Sequence, residues 1–244
     1  MRFFDTHIHL SDFESGADTV IAEALAYKTY KMINVASSKN DWEKITKISD
    51  KYPKNIVPAL GIHPWKAGDT IAADIENLER LIIKYPATLL GECGLDGLKP
   101  DFEKQVDIFL QQVQLAKKYK RPLIIHSVKS QTWFQNNWRN LPDKFVFHSY
   151  NGKTEFLKQI IQWGGYVGFN ASVFKSSAAI EVLKYIPKDR ILLETDAPYQ
   201  GFVRGEMNGP QALPEIFSGI AEIRGENYEE FAMQIYENSE VFIK

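Results

Sequence analysis

The chain has 244 residues, 44% of them hydrophobic and 25% charged, a composition that excludes a disordered or fibrous polymer and allows a sizeable core. A net charge of -2 and an isoelectric point near 6.2 exclude indiscriminate attraction to polyanions, so any nucleic-acid binding must rely on a local patch or on metal ions. The single cysteine, Cys93, excludes an internal disulfide, and with no signal peptide or membrane-length apolar run the expectation is a cytoplasmic monomer.

Short β-prone runs alternate with longer segments of helical spacing along the whole chain. Strands are expected near Phe3 to His9, Met32 to Ala36, Ile56 to Ile62, Leu89 to Glu92, Leu123 to His126, Phe145 to His148, Tyr166 to Phe169 and Ile191 to Thr195. After the fourth, Asp101 is placed to cap a helix whose apolar face runs Phe102, Val106, Phe109, Val113 and Ala116. Near the end, Asn227 followed by Glu230 reads as a capping box opening a helix that carries Phe231 and Ile235. No repeat, linker or low-complexity tract divides the chain, so residues 1–244 are read as one domain.

Eight strand-helix units with mostly apolar strands point to an α/β protein of the (β/α)8 TIM-barrel type, allowing for distortion. A doubly wound open sheet is the competing architecture. Closure is favoured by where the metal-ligand residue types fall: at or just past the ends of six different strands, which only a ring brings together easily. All five histidines, His7, His9, His63, His126 and His148, sit there, as do Glu92 and Asp196.

His7 and His9 are two apart on a strand, so both side chains emerge on one side of the sheet. Taken singly, His126 or His148 reads as a structural histidine, and Glu92 or Asp196 as a helix cap or ion-pair partner. Together, four imidazoles and two carboxylates supply donors for two divalent ions, Mg2+ or Mn2+ in function with Zn2+ as the alternative. Glu92 has two oxygens with which to bridge the ions, and Gly91 beside it lets the backbone approach closely. Asp196 suits the acceptor of a proton from metal-activated water, which makes the chemistry hydrolytic.

The segments Asp5-Thr6-His7-Ile8-His9-Leu10, Gly61-Ile62-His63-Pro64, Gly91-Glu92-Cys93-Gly94-Leu95-Asp96 and Glu194-Thr195-Asp196-Ala197-Pro198-Tyr199 resemble TatD-family metal-dependent hydrolases of the amidohydrolase superfamily. The resemblance spans the chain, through His126, His148, Gly165 to Phe169 and Asn238. It implies one ion held by His7, His9, Glu92 and Asp196, a second held by Glu92, His126 and His148, and Mg2+-dependent deoxyribonuclease activity. Glu92 stands where some relatives use a carbamylated lysine.

His63 is set aside as a contact for substrate phosphate or leaving group, with a structural role equally open. Asp5 and Glu194 are read as acceptors that orient the imidazoles, Asp5 alternatively as a backbone cap. The turn Gly61-Ile62-His63-Pro64-Trp65 has an aromatic where the family often has a second histidine, so Trp65 stacks a base or merely packs. Val128 stands where an arginine is common two residues after His126, and His148-Ser149-Tyr150-Asn151-Gly152 replaces the usual His-Cys-Phe-Ser-Gly, leaving an altered phosphate-binding periphery. Arg204, in the long segment after Asp196, is a substrate contact or a solvated loop residue. Trp133, Trp138 and Tyr150 line a nucleic-acid groove or, at helical spacing, pack.

The leading expectation is a metal-dependent phosphodiesterase acting on DNA. An amidohydrolase or esterase on a small carbonyl substrate is the alternative within hydrolases, and a non-catalytic binding protein that keeps the barrel is the alternative outside them.

Overall fold

The computed structural model describes residues 1–244. Its eight strands are β1 (Phe3–Ile8), β2 (Thr29–Val35), β3 (Ile56–Leu60), β4 (Leu89–Asp96), β5 (Leu123–Val128), β6 (Phe145–Phe147), β7 (Tyr166–Phe169) and β8 (Ile191–Leu193). Helices α1 (Ala17–Ala26), α2 (Trp42–Lys51), α3 (Ala72–Lys84), α4 (Phe102–Tyr119), α5 (Gln131–Asn137), α6 (Thr154–Gln162), α7 (Ser177–Tyr185) and α8 (Ala212–Arg224) follow the strands one by one, and α9 (Tyr228–Phe242) ends the chain. Every adjacent pair from β1 to β8 is parallel and in chain order. The ring closes where the Asp196 N–H donates to the His7 carbonyl at 2.9 Å and the His9 N–H to the Ala197 carbonyl at 2.8 Å. This is the expected (β/α)8 barrel.

The interior is legible in one apolar cluster. Phe4, Ile33, Val35, Ala59, Leu89, Ile124, Val146, Tyr166 and Leu192 draw on all eight strands, and Tyr236 and Phe242 of α9 join them. Only the inside of a closed barrel brings one side chain from every strand together. A larger cluster of 46 buried residues packs the outer strand faces against the helices. There Phe109, Val113 and Ala116 of α4 are buried, with Phe102 and Val106 partly so, as the helical spacing predicts.

Two local expectations divide. Asn227 caps α9, its Oδ1 accepting from the Glu229 and Glu230 backbone N–H groups, but the Glu230 side chain makes no return bond to the Asn227 N–H, so only half of the expected box forms. Asp101 occupies the N-cap position of α4 but in the left-handed region, φ 59°, and its side chain makes no cap hydrogen bond, so the capping role expected for it is corrected. No helix is long and apolar enough to cross a membrane.

Candidate metal centre

The strand period of two builds the site directly above the apolar interior. Ile124 and Val146 point inward, so His126 and His148, two residues further on, do too. Leu192 points inward, and Glu194 and Asp196 follow at the same interval. β4 breaks the rule. Leu89 faces the interior, so on a regular strand Cys93 would share that face, yet Cys93 packs into the outer cluster and Glu92 faces the site. The pairing with β5 shifts register between Leu90 and Cys93, a bulge that turns Glu92 inward. Gly91 makes this conformation available with φ 141°, and a Cβ there would lie 2.7 Å from the Ile124 Cβ.

All six expected ligands converge. Glu92 Oε1 lies 2.6 Å from His148 Nε2 and 2.8 Å from His126 Nδ1, while its Oε2 lies 3.4 Å from His7 Nε2. Asp196 Oδ1 stands 3.4 Å from His9 Nε2 and 3.6 Å from His7 Nε2, and those two imidazole nitrogens face one another across 3.2 Å. Each of these residues is nearly sealed from solvent, with His126 the most open.

Electrostatics show what the pocket requires. Burial pushes the Glu92 carboxyl up, but the charges of His148 and His63 and hydrogen bonds from His126 and His148 hold it well below the usual carboxylate range. Asp196 is likewise opposed by burial and held down by His9, His7 and His148. Burial opposes charge on His148, His126 and His9, yet the neighbouring carboxylates raise all three. Burial prevails at His7, which is lowered. Two buried carboxylates thus have only imidazoles as ion-pair partners, with no lysine or arginine. The His9 Nδ1–H donates to the Val35 carbonyl at 3.0 Å, leaving Nε2 as the ring atom aimed at His7 and Asp196. Such converging nitrogen and oxygen donors fit divalent cations.

The sequence model described as TatD related DNase matches residues 4–244. The chain belongs to the TatD related DNase family. It is 28% identical over 251 residues to the uncharacterized metal-dependent hydrolase YjjV of Escherichia coli, covering 98% of this chain and 96% of that protein. It is also 28% identical over 243 residues to the human deoxyribonuclease TATDN3, covering 93% and 89%. The crystal structure of the E. coli protein superposes with a TM-score of 0.92 at 27% identity over 99% of this chain and 97% of that one. The chain is a metal-dependent hydrolase of the TatD family.

The remaining residues sort by position. His63 lies inside the cluster, its Nε2 3.2 Å from His126 Nδ1 and 3.4 Å from Glu92 Oε1. Glu194 faces His148 Nδ1 at 3.7 Å and accepts from the Ser149 N–H at 2.5 Å. Asp5 touches no imidazole ring. It accepts from the Thr195 hydroxyl at 2.6 Å and from the Thr195 and His7 N–H groups, and burial pushes its carboxyl up to about 7 despite these bonds. Trp65 is 57% exposed at the rim, edge-on to His63, with its indole N–H on Asp96 Oδ2 at 2.7 Å. Arg204 is exposed and makes no hydrogen bond or ion pair. Trp133 packs on Phe109 and Phe134, Trp138 stacks on Trp163, and Tyr150 is buried, so these aromatics serve packing.

Sequence reasoning missed three residues of this TatD-family site. Asp96, buried, holds Trp65 and lies 3.6 Å from His126 Nε2. Gln105 brackets Asp96, accepting from its N–H and donating to its carbonyl, and Gln112 does the same to Ile62 beside His63. Their signal was two glutamines seven apart on the apolar face of α4, a costly placement unless both amides are paired.

Proposed function

We propose that the protein is a divalent-metal-dependent phosphodiesterase that cleaves DNA, working as one domain over residues 1–244. The observation that carries this reading is Glu92, whose two oxygens face different imidazole groups: Oε2 toward His7, and Oε1 toward His126 and His148. On this reading His7, His9, Glu92 and Asp196 hold one ion and Glu92, His126 and His148 a second. When bound, Mg2+ or Mn2+ supplies Lewis acidity that lowers the pKa of water toward neutrality and offsets charge on a phosphate. Asp196, ionised, accepts the proton of the attacking water. His63 donates to a phosphate oxygen, Trp65 offers its open face to a base, and Arg204 meets the backbone. Asp5 and Glu194 fix the chain around His7 and His148.

A carbonyl substrate is the second reading, favoured by Val128 at the end of β5, which removes a phosphate-binding charge. The test is nucleotide release from single-stranded DNA with Mg2+ or Mn2+, run beside a panel of carboxylic esters and amides. Release that disappears in Glu92→Ala supports the phosphodiesterase. No release with any metal, or release unaffected by Glu92→Ala, rejects it.

A further inference from the structure

An imidazole that turns one ring nitrogen to the centre must settle the other, because a buried N–H without an acceptor is costly. His9 settles Nδ1 on the Val35 carbonyl at 3.0 Å. His148 turns Nε2 to Glu92 at 2.6 Å and has Glu194 Oε1 3.7 Å from Nδ1. His126 is mounted the other way round. Its Nδ1 faces Glu92 at 2.8 Å, while its Nε2 is buried and without a hydrogen bond. The carboxylate within ion-pair reach of that nitrogen is Asp96, whose Oδ2 stands 3.6 Å away.

Asp96 closes β4 and is held on three sides. Its Oδ1 accepts from the Leu98 N–H at 2.9 Å, and its Oδ2 from the Trp65 indole N–H at 2.7 Å. Gln105, buried on α4, accepts from the Asp96 N–H at 2.8 Å and donates to its carbonyl at 3.2 Å. β4 and β5 run so close here that a Cβ on Gly94 would meet the His126 backbone, so carboxylate and ring sit on strands that cannot slide apart. Burial pushes the Asp96 carboxyl up, but His126, Trp65 and the Leu98 N–H hold it well below the usual carboxylate range. Its ion-pair partner is His126, with no lysine or arginine.

We propose that Asp96 is a positioning residue of the centre: its carboxylate takes the Nε2–H of His126, fixing the tilt of that ring and the tautomer that turns Nδ1 inward. The proposal rests on the reading of His126 as a metal ligand. Without Asp96 the buried Nε2–H has no acceptor, and the ring tilts or turns over to find one. Trp65 is a second donor on the same oxygen. Leu98 and Gln105 hold Asp96 from its other sides, so loss of the indole leaves the carboxylate in place.

The first measurement is Mn2+ uptake by the metal-free protein, counted from the EPR signal of the free ion, with the Tm of each variant as the check on folding. Asp96→Asn keeps the size of the side chain but has no charge and one acceptor oxygen, and is expected to weaken one Mn2+ site roughly 10–100-fold. Asp96→Glu, which keeps a carboxylate, is expected to recover part of that loss. Trp65→Phe, which removes the indole donor alone, is expected to leave Mn2+ affinity within about twofold. In a His126→Ala background Asp96→Asn is expected to weaken the remaining ion by no more than about twofold, whereas a merely structural Asp96 would weaken it in both backgrounds. The second measurement needs no metal. In 15N-labelled protein at about pH 9, well above the ordinary histidine value, the neutral His126 ring is expected to carry its proton on Nε2 in the wild type and to lose that preference in Asp96→Asn. Wild-type Mn2+ affinity in Asp96→Asn, a loss repeated in the His126→Ala background, or the same tautomer in both proteins would overturn the proposal. A wild type that takes up no Mn2+ rejects His126 as a ligand instead, and the tautomer then decides on Asp96 alone.

Discussion

The Trp65 backbone N–H donates to Nδ1 of His63 across 3.2 Å. That bond occupies the His63 Nδ1 lone pair, so the neutral ring carries its proton on Nε2, and burial favours the neutral form. His9 has the opposite arrangement, with Nδ1–H on the Val35 carbonyl and Nε2 turned toward Asp196 and His7. Once the Nε2 proton is displaced, His9 presents a lone pair to the centre, whereas His63 presents a donor. His9→Ala is expected to lower bound metal by about one ion per chain, as its Nε2 is a proposed ligand position. His63→Gln is expected to keep the metal and lose roughly 10–100-fold in turnover, the cost of an outer hydrogen-bonding partner. Elemental analysis beside initial rates checks both, and metal loss in His63→Gln would make His63 a ligand.

Acid should strip the centre. His148, His126 and His9 are all raised by neighbouring carboxylates, so without metal they bind protons more readily than ordinary histidine. Metal ions must displace those protons, and affinity therefore falls as pH falls, by roughly tenfold per pH unit for each proton displaced. Isothermal titration in several buffers between about pH 6 and 8 reads the number of protons released. Zero release would show that the imidazoles are neutral before metal arrives.

Gly91→Ala should unmake the bulge that turns Glu92 inward. Its Cβ would lie 2.7 Å from the Ile124 Cβ and 2.8 Å from the Ile124 carbonyl oxygen, at a φ of 141° that side chains resist. We expect a stability loss on the order of 1–3 kcal/mol, seen as a lower Tm, with reduced metal content. Gly205→Ala, also at positive φ but with open space around it, should cost about 1–2 kcal/mol of strain and keep its metal. Equal metal loss in the two variants would argue against the bulge as the cause.

Much of this architecture can be read from sequence because it follows period. Eight apolar runs give eight strands, and residues two past an interior Ile124 or Val146 have to face the mouth, which places His126 and His148. Glu92 was found by its neighbours, although plain alternation puts it on the wrong face, since a bulge leaves no mark in a pattern of polar and apolar letters. Asp96, Gln105 and Gln112 were missed for another reason. The spacing of the two glutamines marks them as buried and in need of partners, but which backbone groups they pair is decided only by contacts that form on folding.

Trp65→Ala should raise KM for single-stranded DNA by the loss of about 1–3 kcal/mol of base stacking while leaving kcat nearly unchanged, and Trp65→Tyr should recover part of it. The ring is held for this by the Asp96 hydrogen bond on its edge and by Lys99 Nζ, 4.3 Å from its centroid, on one face. Steady-state kinetics on an oligonucleotide decide the matter. A fall in kcat with KM constant would place Trp65 in support of His63 instead.

The two backbone hydrogen bonds that seal the cylinder, Asp196 to His7 and His9 to Ala197, belong to the proposed ligand residues or their immediate neighbours. Architecture and chemistry here share the same few peptide groups, so neither can be redesigned alone. A change in a rim loop leaves both bonds intact, while a change in the first strand or the turn after the last strikes the seam and the proposed ligand set at once.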